Sequence, residues 1–341
     1  MSFPSQPEAL TKDYLSEALN KPVEDFRVEN FGEGAGIIGQ VTRVHLTTER
    51  GDETIIAKFP SPSPDNRAVA ATYDMYGREV GFYRDIAATV TVRVPDCYHA
   101  AYDADSLDFI LLLEDLKDMR IGNQVTGCTQ TDAHRVIEGI AKLAASSWGR
   151  QSGLVPHNNP GQRDGMIGGF GVGWPVVQTQ FGDLIPSRAQ NLGEQIPNAV
   201  PALLDRLGTP PICLSHADVR LDNIFFGDDE IALVDWQSVC TSAPEQDLAY
   251  FVTQSLSDSV RKSEDWVQVY HDHLVDLGVR DYGLAQCRER YVTAALYLVC
   301  YATIISGTLD LANARGRKLG ETLFGNAMRS LDELDAFALL D

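Results

Sequence analysis

The run His216-Ala217-Asp218-Val219-Arg220-Leu221-Asp222-Asn223 carries groups whose types and order suit phosphoryl transfer. A carboxylate at Asp218 can orient an attacking hydroxyl, and the amide of Asn223 can face a metal between the β- and γ-phosphates of a nucleotide. Further along, Leu233-Val234-Asp235-Trp236 supplies a second carboxylate for magnesium. Charge on a transferring phosphoryl group is spread over its oxygens, so the metal clamp contributes most of the stabilisation while Asp218 mainly orients. A His-x-Asp pair alone reads equally well as a buried histidine beside a solvated aspartate. A zinc phosphoesterase is disfavoured because no second histidine lies near His216, which leaves such a metal short of ligands.

These groups need elements to deliver them. Ile224-Phe225-Phe226 and Glu230-Ile231-Ala232-Leu233-Val234 are β-rich and flank the turn Gly227-Asp228-Asp229, so a hairpin is expected to bring Asn223 and Asp235 to one edge. Upstream, Gly34-Ala35-Gly36-Ile37-Ile38-Gly39 matches GxGxxG, a pattern shared by dinucleotide-binding turns and kinase glycine loops. The dinucleotide version must open a helix. Here Gln40-Val41-Thr42-Arg43-Val44-His45 alternates and predicts a strand, which favours a glycine loop inside a β-hairpin. The returning strand, Thr54-Ile55-Ile56-Ala57-Lys58-Phe59, places Lys58 as the lysine for the α/β-phosphates; its bland alternative is a solvated strand lysine. A helix over 73–88, with Tyr76, Val80, Tyr83 and Ala87 on one stripe, offers Glu79 as the partner of that lysine. Asp108-Phe109-Ile110-Leu111-Leu112-Leu113 reads as a buried strand ending at Glu114-Asp115-Leu116, where a hinge would present backbone groups to an adenine.

In this order the motifs resemble the phosphotransferase family of aminoglycoside phosphotransferases, choline kinases and ecdysteroid-kinase-like proteins. Lys58, Glu79, Leu113-Glu114-Asp115-Leu116, His216 to Asn223, Asp235-Trp236-Gln237 and Asp247-Leu248-Ala249-Tyr250 carry the likeness. The resemblance implies an α+β, bilobal protein-kinase-like fold: a β-rich nucleotide-binding lobe over 1–113 and a mainly helical catalytic lobe over 114–341. It implies ATP and magnesium as cofactors, with Asp218 catalytic, Lys58, Glu79, Gly34, Gly36, Gly39 and Glu114 at the nucleotide, and Asn223 and Asp235 on the metal. Arg220-Leu221-Asp222-Asn223 and Asp235-Trp236-Gln237 further resemble the branch associated with acyl-CoA dehydrogenases, which phosphorylates hydroxyacyl-CoA. Two positions depart from the family: Ala217 replaces a usual glycine, and Ser147 stands where a histidine commonly precedes Trp148.

The acceptor is therefore expected to be a hydroxyl on a small molecule, a hydroxyacyl thioester or similar metabolite ahead of an aminoglycoside. A nucleotide-binding pseudokinase, a fold kept as an interaction module, is disfavoured because Lys58, Asp218, Asn223 and Asp235 are all present. A protein kinase is disfavoured because Ala243-Pro244-Glu245 follows Asp235 too closely to enclose an activation loop. His216 is expected to brace the catalytic loop through a hydrogen bond, and Asp247 to cap its helix or hold that loop. Arg220 reads equally as a γ-phosphate contact or as a surface or loop-bracing arginine. His271 and His273, two apart on a helix, face different sides and are no metal pair.

The 341 residues, 44% apolar, suffice for two lobes with their own cores. A net charge of −20, without a basic cluster, argues against a nucleic-acid partner. The first residues lack a basic region and an apolar core, which points to the cytoplasm. The six cysteines show no CxxC spacing and read as reduced packing residues. Residues 292–309 are uncharged, yet their tyrosines, threonines, Ser306 and Gly307 favour a buried helix over a membrane span. Other helices are expected over 11–18, from a cap at Thr131 or Asp132 to Trp148, and over 247–255, 265–277, 285–309 and 321–340. The stretch 60–64 reads as a stiff loop. The glycine-rich stretch 149–174 shows little periodicity and is expected to be a loop, either substrate-facing or a plain surface insertion; Trp174, Trp236 and Gln237 are weaker candidates for acceptor contacts, with core packing favoured for Trp236.

Overall fold

Thr11 accepts a hydrogen bond from the Tyr14 N–H and starts α1 (Lys12–Ala18). The alternating stretches that follow build one antiparallel sheet from β1 (Asp25–Asn30), β2 (Gly39–Thr48), β3 (Gly51–Pro60), and, after the helices α2 (Pro64–Thr72) and α3 (Met75–Gly81), β4 (Cys97–Asp103) and β5 (Asp108–Glu114). Its strand order is β1-β2-β3-β5-β4. Gly51 closes the β2–β3 turn at φ +114°, a conformation that glycine adopts without a Cβ clash. The computed structural model describes residues 3–31, 38–150 and 155–340.

On one face of this sheet Val44, Leu46, Ile55, Ala57, Phe59, Ile110 and Leu112 pack with Leu10, Leu15 and Val23. Each large side chain fully buried there is worth about 1.5–3 kcal/mol. That face fixes the register of β3: alternation puts Lys58 on the opposite side from Ala57 and Phe59, and a slip of a single residue would drive its charge into hydrocarbon.

The fold is α+β, with a sheet in the N-terminal region and helices in the C-terminal region. Two compact units divide the chain. The first gathers Met1–Thr89, Arg93–Met119 and Val234–Ser238; the second takes Val90–Val92, Arg120–Leu233 and Val239–Asp341. In the second unit, β6 (Arg120–Ile121) leads to α4 (Gln130–Ser146), α5 (Pro160–Phe181) and α6 (Leu192–Leu207). Short strands follow: β7 (Cys213–Ser215), β8 (Ile224–Phe226), β9 (Ile231–Leu233) and β10 (Cys240–Ser242). They form a β6-β8-β9 sheet and a β7-β10 pair. The remaining helices are α7 (Gln246–Tyr250), α8 (Asp258–Arg261), α9 (Trp266–Asp276), α10 (Leu284–Tyr297), α11 (Val299–Thr308) and α12 (Ala314–Glu333).

Several expectations need correction. The stretch 60–64 is not only a loop, because the Ser63 side chain caps α2 and Pro64 occupies its first turn, where a missing N–H costs nothing. Thr129, not Thr131 or Asp132, caps α4, and Asp132 completes the capping box as its third helical residue. The expected 149–174 loop is overturned over most of its length: Asn159 caps α5, whose glycines mark a close helix crossing. A Cβ on Gly173 would stand 2.6 Å from the Thr303 carbonyl oxygen, and one on Gly307 would stand 2.5 Å from the Gly173 Cα. Trp174 is buried, stacked on Phe170 and edge-on to Phe324, so it is core and not an acceptor contact. The apolar run at 284–308 breaks at Leu298 into α10 and α11; by composition it could cross a membrane, yet most of it is buried within the second unit. All six cysteines are free thiols.

Candidate active site

In the first unit three charged side chains meet. Lys58 Nζ lies 2.8 and 2.7 Å from the two carboxylate oxygens of Glu79 and 2.5 Å from Asp235 Oδ1. Glu79 reaches it from α3, and Asp235 from the Val234–Ser238 segment, whose backbone turns at Asp235 with φ +66°. Packing fixes that segment: the Trp236 ring stacks on Phe82, centroids 3.8 Å apart and planes within 9°, and the Trp236 backbone bonds the Glu79 carboxylate. Trp236 thus packs as core, as its sequence context favours. Gln237 donates to Asp235 Oδ2 at 3.3 Å.

Lys58 and Glu79 are almost fully buried, so neither charge stands without its partners. Burial works against the Lys58 ammonium, but Asp235 and Glu79 outweigh it and raise its pKa. Two carboxylates share this single ammonium. The more buried of them carries the consequence: desolvation, reinforced by the Asp235 charge and opposed by Lys58, pushes Glu79 up to about 7.

Gly39 opens β2 beside this lysine, and a Cβ there would come within 3.3 Å of Lys58 Cε, so the position favours glycine for clearance. Gly34 and Gly36 lie outside the described residues. Glu114 ends β5. Its N–H donates to the Asp96 carbonyl and its carboxylate holds Arg93 at 2.7 Å and the Asp96 N–H at 3.1 Å.

In the second unit, β7 runs into a loop held from below by Asp247. Its carboxylate accepts from the Ser215 hydroxyl and from the His216 and Ala217 N–H groups, each at 2.8 Å. This anchorage serves the loop, while Glu245 occupies the cap position of α7. Ala217 sits at φ +62°, where a Cβ is strained, which explains physically why glycine suits the position. His216 is fully buried, and its Nδ1 accepts the Asp218 N–H at 3.3 Å, so it braces the loop. The Asn223 amide nitrogen donates to both the backbone oxygen and Oδ2 of Asp218, each at 3.0 Å. Pinning the nitrogen this way commits the other end of the amide, its oxygen, to face elsewhere as an acceptor. Arg220 Nε lies 3.9 Å from Asp218 Oδ2, at the loop rather than on the open surface.

One supporting residue escapes sequence reasoning. Gln124, fully buried, accepts from the Leu221 N–H at 2.8 Å and from Ser255, donates to the Gln254 carbonyl, and gives its own N–H to Asp222. A lone glutamine in a loop carries no signal for this. Tyr250, which the sequence motif includes, stands three residues after Asp247 on α7, a spacing readable from the sequence.

The Asn223 amide oxygen and the Asp235 carboxylate are each hard donors of the kind magnesium takes. His271 instead bonds the Tyr282 carbonyl. Among the described residues no three His, Cys, Asp or Glu side chains gather as a separate metal site.

Residues 38–291 match the profile of the phosphotransferase enzyme family. No curated protein sequence matches the chain. Among solved structures, an ethanolamine kinase of Plasmodium vivax is 14% identical, with 93% of this chain and 87% of that one covered at a TM-score of 0.54. A choline/ethanolamine kinase family protein of Mesorhizobium loti is also 14% identical, with 92% of each chain covered and a TM-score of 0.52. A GDP complex of aminoglycoside 2'-phosphotransferase-IIIa is 12% identical, covering 97% of this chain and 100% of that one at a TM-score of 0.51. At these identities the likeness is one of fold.

Proposed function

Because the chain belongs to the phosphotransferase enzyme family, we propose that it moves the γ-phosphoryl group of magnesium-ATP to a hydroxyl of a small molecule in the cytoplasm. The observation that carries this reading is the buried Lys58 held between Glu79 and Asp235, a cation of fixed position where a nucleotide's phosphates need one. Asp218 orients the acceptor hydroxyl and takes its proton, its rotamer held by Asn223. Lys58 meets phosphate oxygens, and Glu79 keeps the lysine in place. Asn223 and Asp235 are the magnesium ligands, and the ion, when bound, neutralises charge on the phosphates.

The glycine loop at Gly34 and Gly36 is assigned to the phosphates on sequence grounds. For the acceptor, the wording of Arg220-Leu221-Asp222-Asn223 and Asp235-Trp236-Gln237 supports a hydroxyacyl thioester ahead of an aminoglycoside.

A coupled ADP-release screen over hydroxyacyl-CoAs, choline, aminoglycosides and sugars tests the reading. Turnover with a single class is expected, falling on the order of 10²–10⁴-fold in Asp218→Asn with nucleotide affinity retained. ADP release no faster than that of Asp218→Asn for every class would return the chain to the pseudokinase reading.

A further inference from the structure

We propose that Tyr250 is a positioning residue for Asp218, its phenol holding the base in the orientation an acceptor hydroxyl requires; this rests on the kinase reading above. Asp247 and Tyr250 lie three residues apart on α7 and therefore on one face of that helix. The Asp247 end of the face clasps the loop at Ser215, His216 and Ala217. Its Tyr250 end is thereby carried to the next residue of the same loop, Asp218.

Tyr250 is fully buried, and its hydroxyl closes no hydrogen bond of strict geometry. Asp218 is the group within looser hydrogen-bonding reach of it. Burial first, and then the Asp218 charge, hold the phenol well above its ordinary pKa while Arg220 works the other way, so it stays a protonated donor. A long contact of this kind between a buried donor and a catalytic carboxylate is one that a reacting complex tightens.

The ring has little freedom to swing away. Tyr301 packs edge-on to it, centroids 6.0 Å apart. The Tyr301 hydroxyl accepts from Gln162 at 3.2 Å, and Gln162 donates also to Tyr297 at 3.0 Å, which meets His157 at 2.9 Å. A polar network from α5, α10 and α11 thus stands behind the aromatic ring that faces the base. Such fully connected networks rigidify what they touch.

The test is a double-mutant cycle on intrinsic hydrolysis of magnesium-ATP, water standing in for the acceptor. In that reaction the water oxygen replaces the bridging oxygen on the γ-phosphorus, Asp218 accepts the water's proton, and ADP leaves. We expect Tyr250→Phe to lower kcat about tenfold, the worth of one hydrogen bond to a charged group, with KM for magnesium-ATP unchanged. In an Asp218→Asn background the same substitution should do nothing further, because its effect passes through that carboxylate. Melting of Tyr250→Phe should stay within about 3 °C of the parent. A tenfold loss that persists in Asp218→Asn, an unchanged kcat in the single variant, or a Tyr250→Phe protein that no longer melts cooperatively each overturns the inference alone. Phosphate release by the parent no faster than by Asp218→Asn overturns the kinase reading, and the inference with it.

Discussion

Each unit buries a charged cluster, and the two are built on different arithmetic. In the second unit Glu245 faces Arg290 at 3.1 Å, takes the Tyr282 hydroxyl at 2.6 Å on its other oxygen, and leaves Arg290 to satisfy itself on the Thr209 and Pro211 carbonyls. One charge answers one charge. In the first unit Lys58 is shared by Glu79 and Asp235, so the three side chains sum to one negative charge once Glu79 is ionised, as pH passes about 7. A balanced cluster asks for nothing and serves the fold, whereas an unbalanced one favours an arriving cation such as a nucleotide's magnesium. Burial alone therefore does not mark a site; the residual charge does.

The harshest way to break this comparison is Arg290→Met, which leaves Glu245 buried without its partner. It should cost about 3–5 kcal/mol of stability in urea unfolding. Asp235→Asn should do the opposite to the first cluster: phosphoryl transfer falls by more than about a hundredfold, the loss expected of the proposed magnesium ligand, while the nucleotide-free protein melts no lower than the parent. A drop in melting as deep as that of Arg290→Met would erase the distinction.

Gly173→Val gives the scale of pure packing, since it changes no charge. Its side chain would meet the Thr303 carbonyl at the α5–α11 crossing, for a loss of about 1–3 kcal/mol. A pH series then sharpens the view of the first cluster. Glu79 is raised in the folded protein, so the stability it contributes is complete below the ordinary value of 4.5 and is lost as pH rises to about 7. Melting should decline across that window, and Glu79→Gln should flatten the decline. The smallest effect belongs to Ala217→Gly: relief of the left-handed backbone, offset by a freer unfolded chain, should leave stability within about 1 kcal/mol of the parent and no lower.

The contacts around Lys58 and Asp218 were more legible than the scaffold, and the reasons differ residue by residue. Lys58 could be placed because strand alternation and the Ile-Ala-Lys ending leave it one face, and the loop from His216 to Asn223 because its roles demand a fixed spacing. Of the helices, α6 hides behind Pro197 and Pro201, although Leu192, Ile196, Val200, Leu203 and Leu207 mark a buried stripe at helical intervals. In α5 the signal is inverted. Gly169 and Gly173, four apart, form the contact face, so the periodicity is one of missing side chains, and a search for apolar residues cannot see it.

The Val234–Ser238 segment has a consequence in time. It belongs to the first unit, yet it follows some hundred residues of the second in the chain. A ribosome making this protein N-terminus first has the five strands of the N-terminal sheet out of its tunnel long before Asp235 and Trp236 are synthesised. Until then Phe82 lacks its stacking partner, and Lys58 has Glu79 but not Asp235. A fragment ending at Met119 would be frozen at that stage, so Lys58 acquires its full set of partners only after most of the chain has been translated.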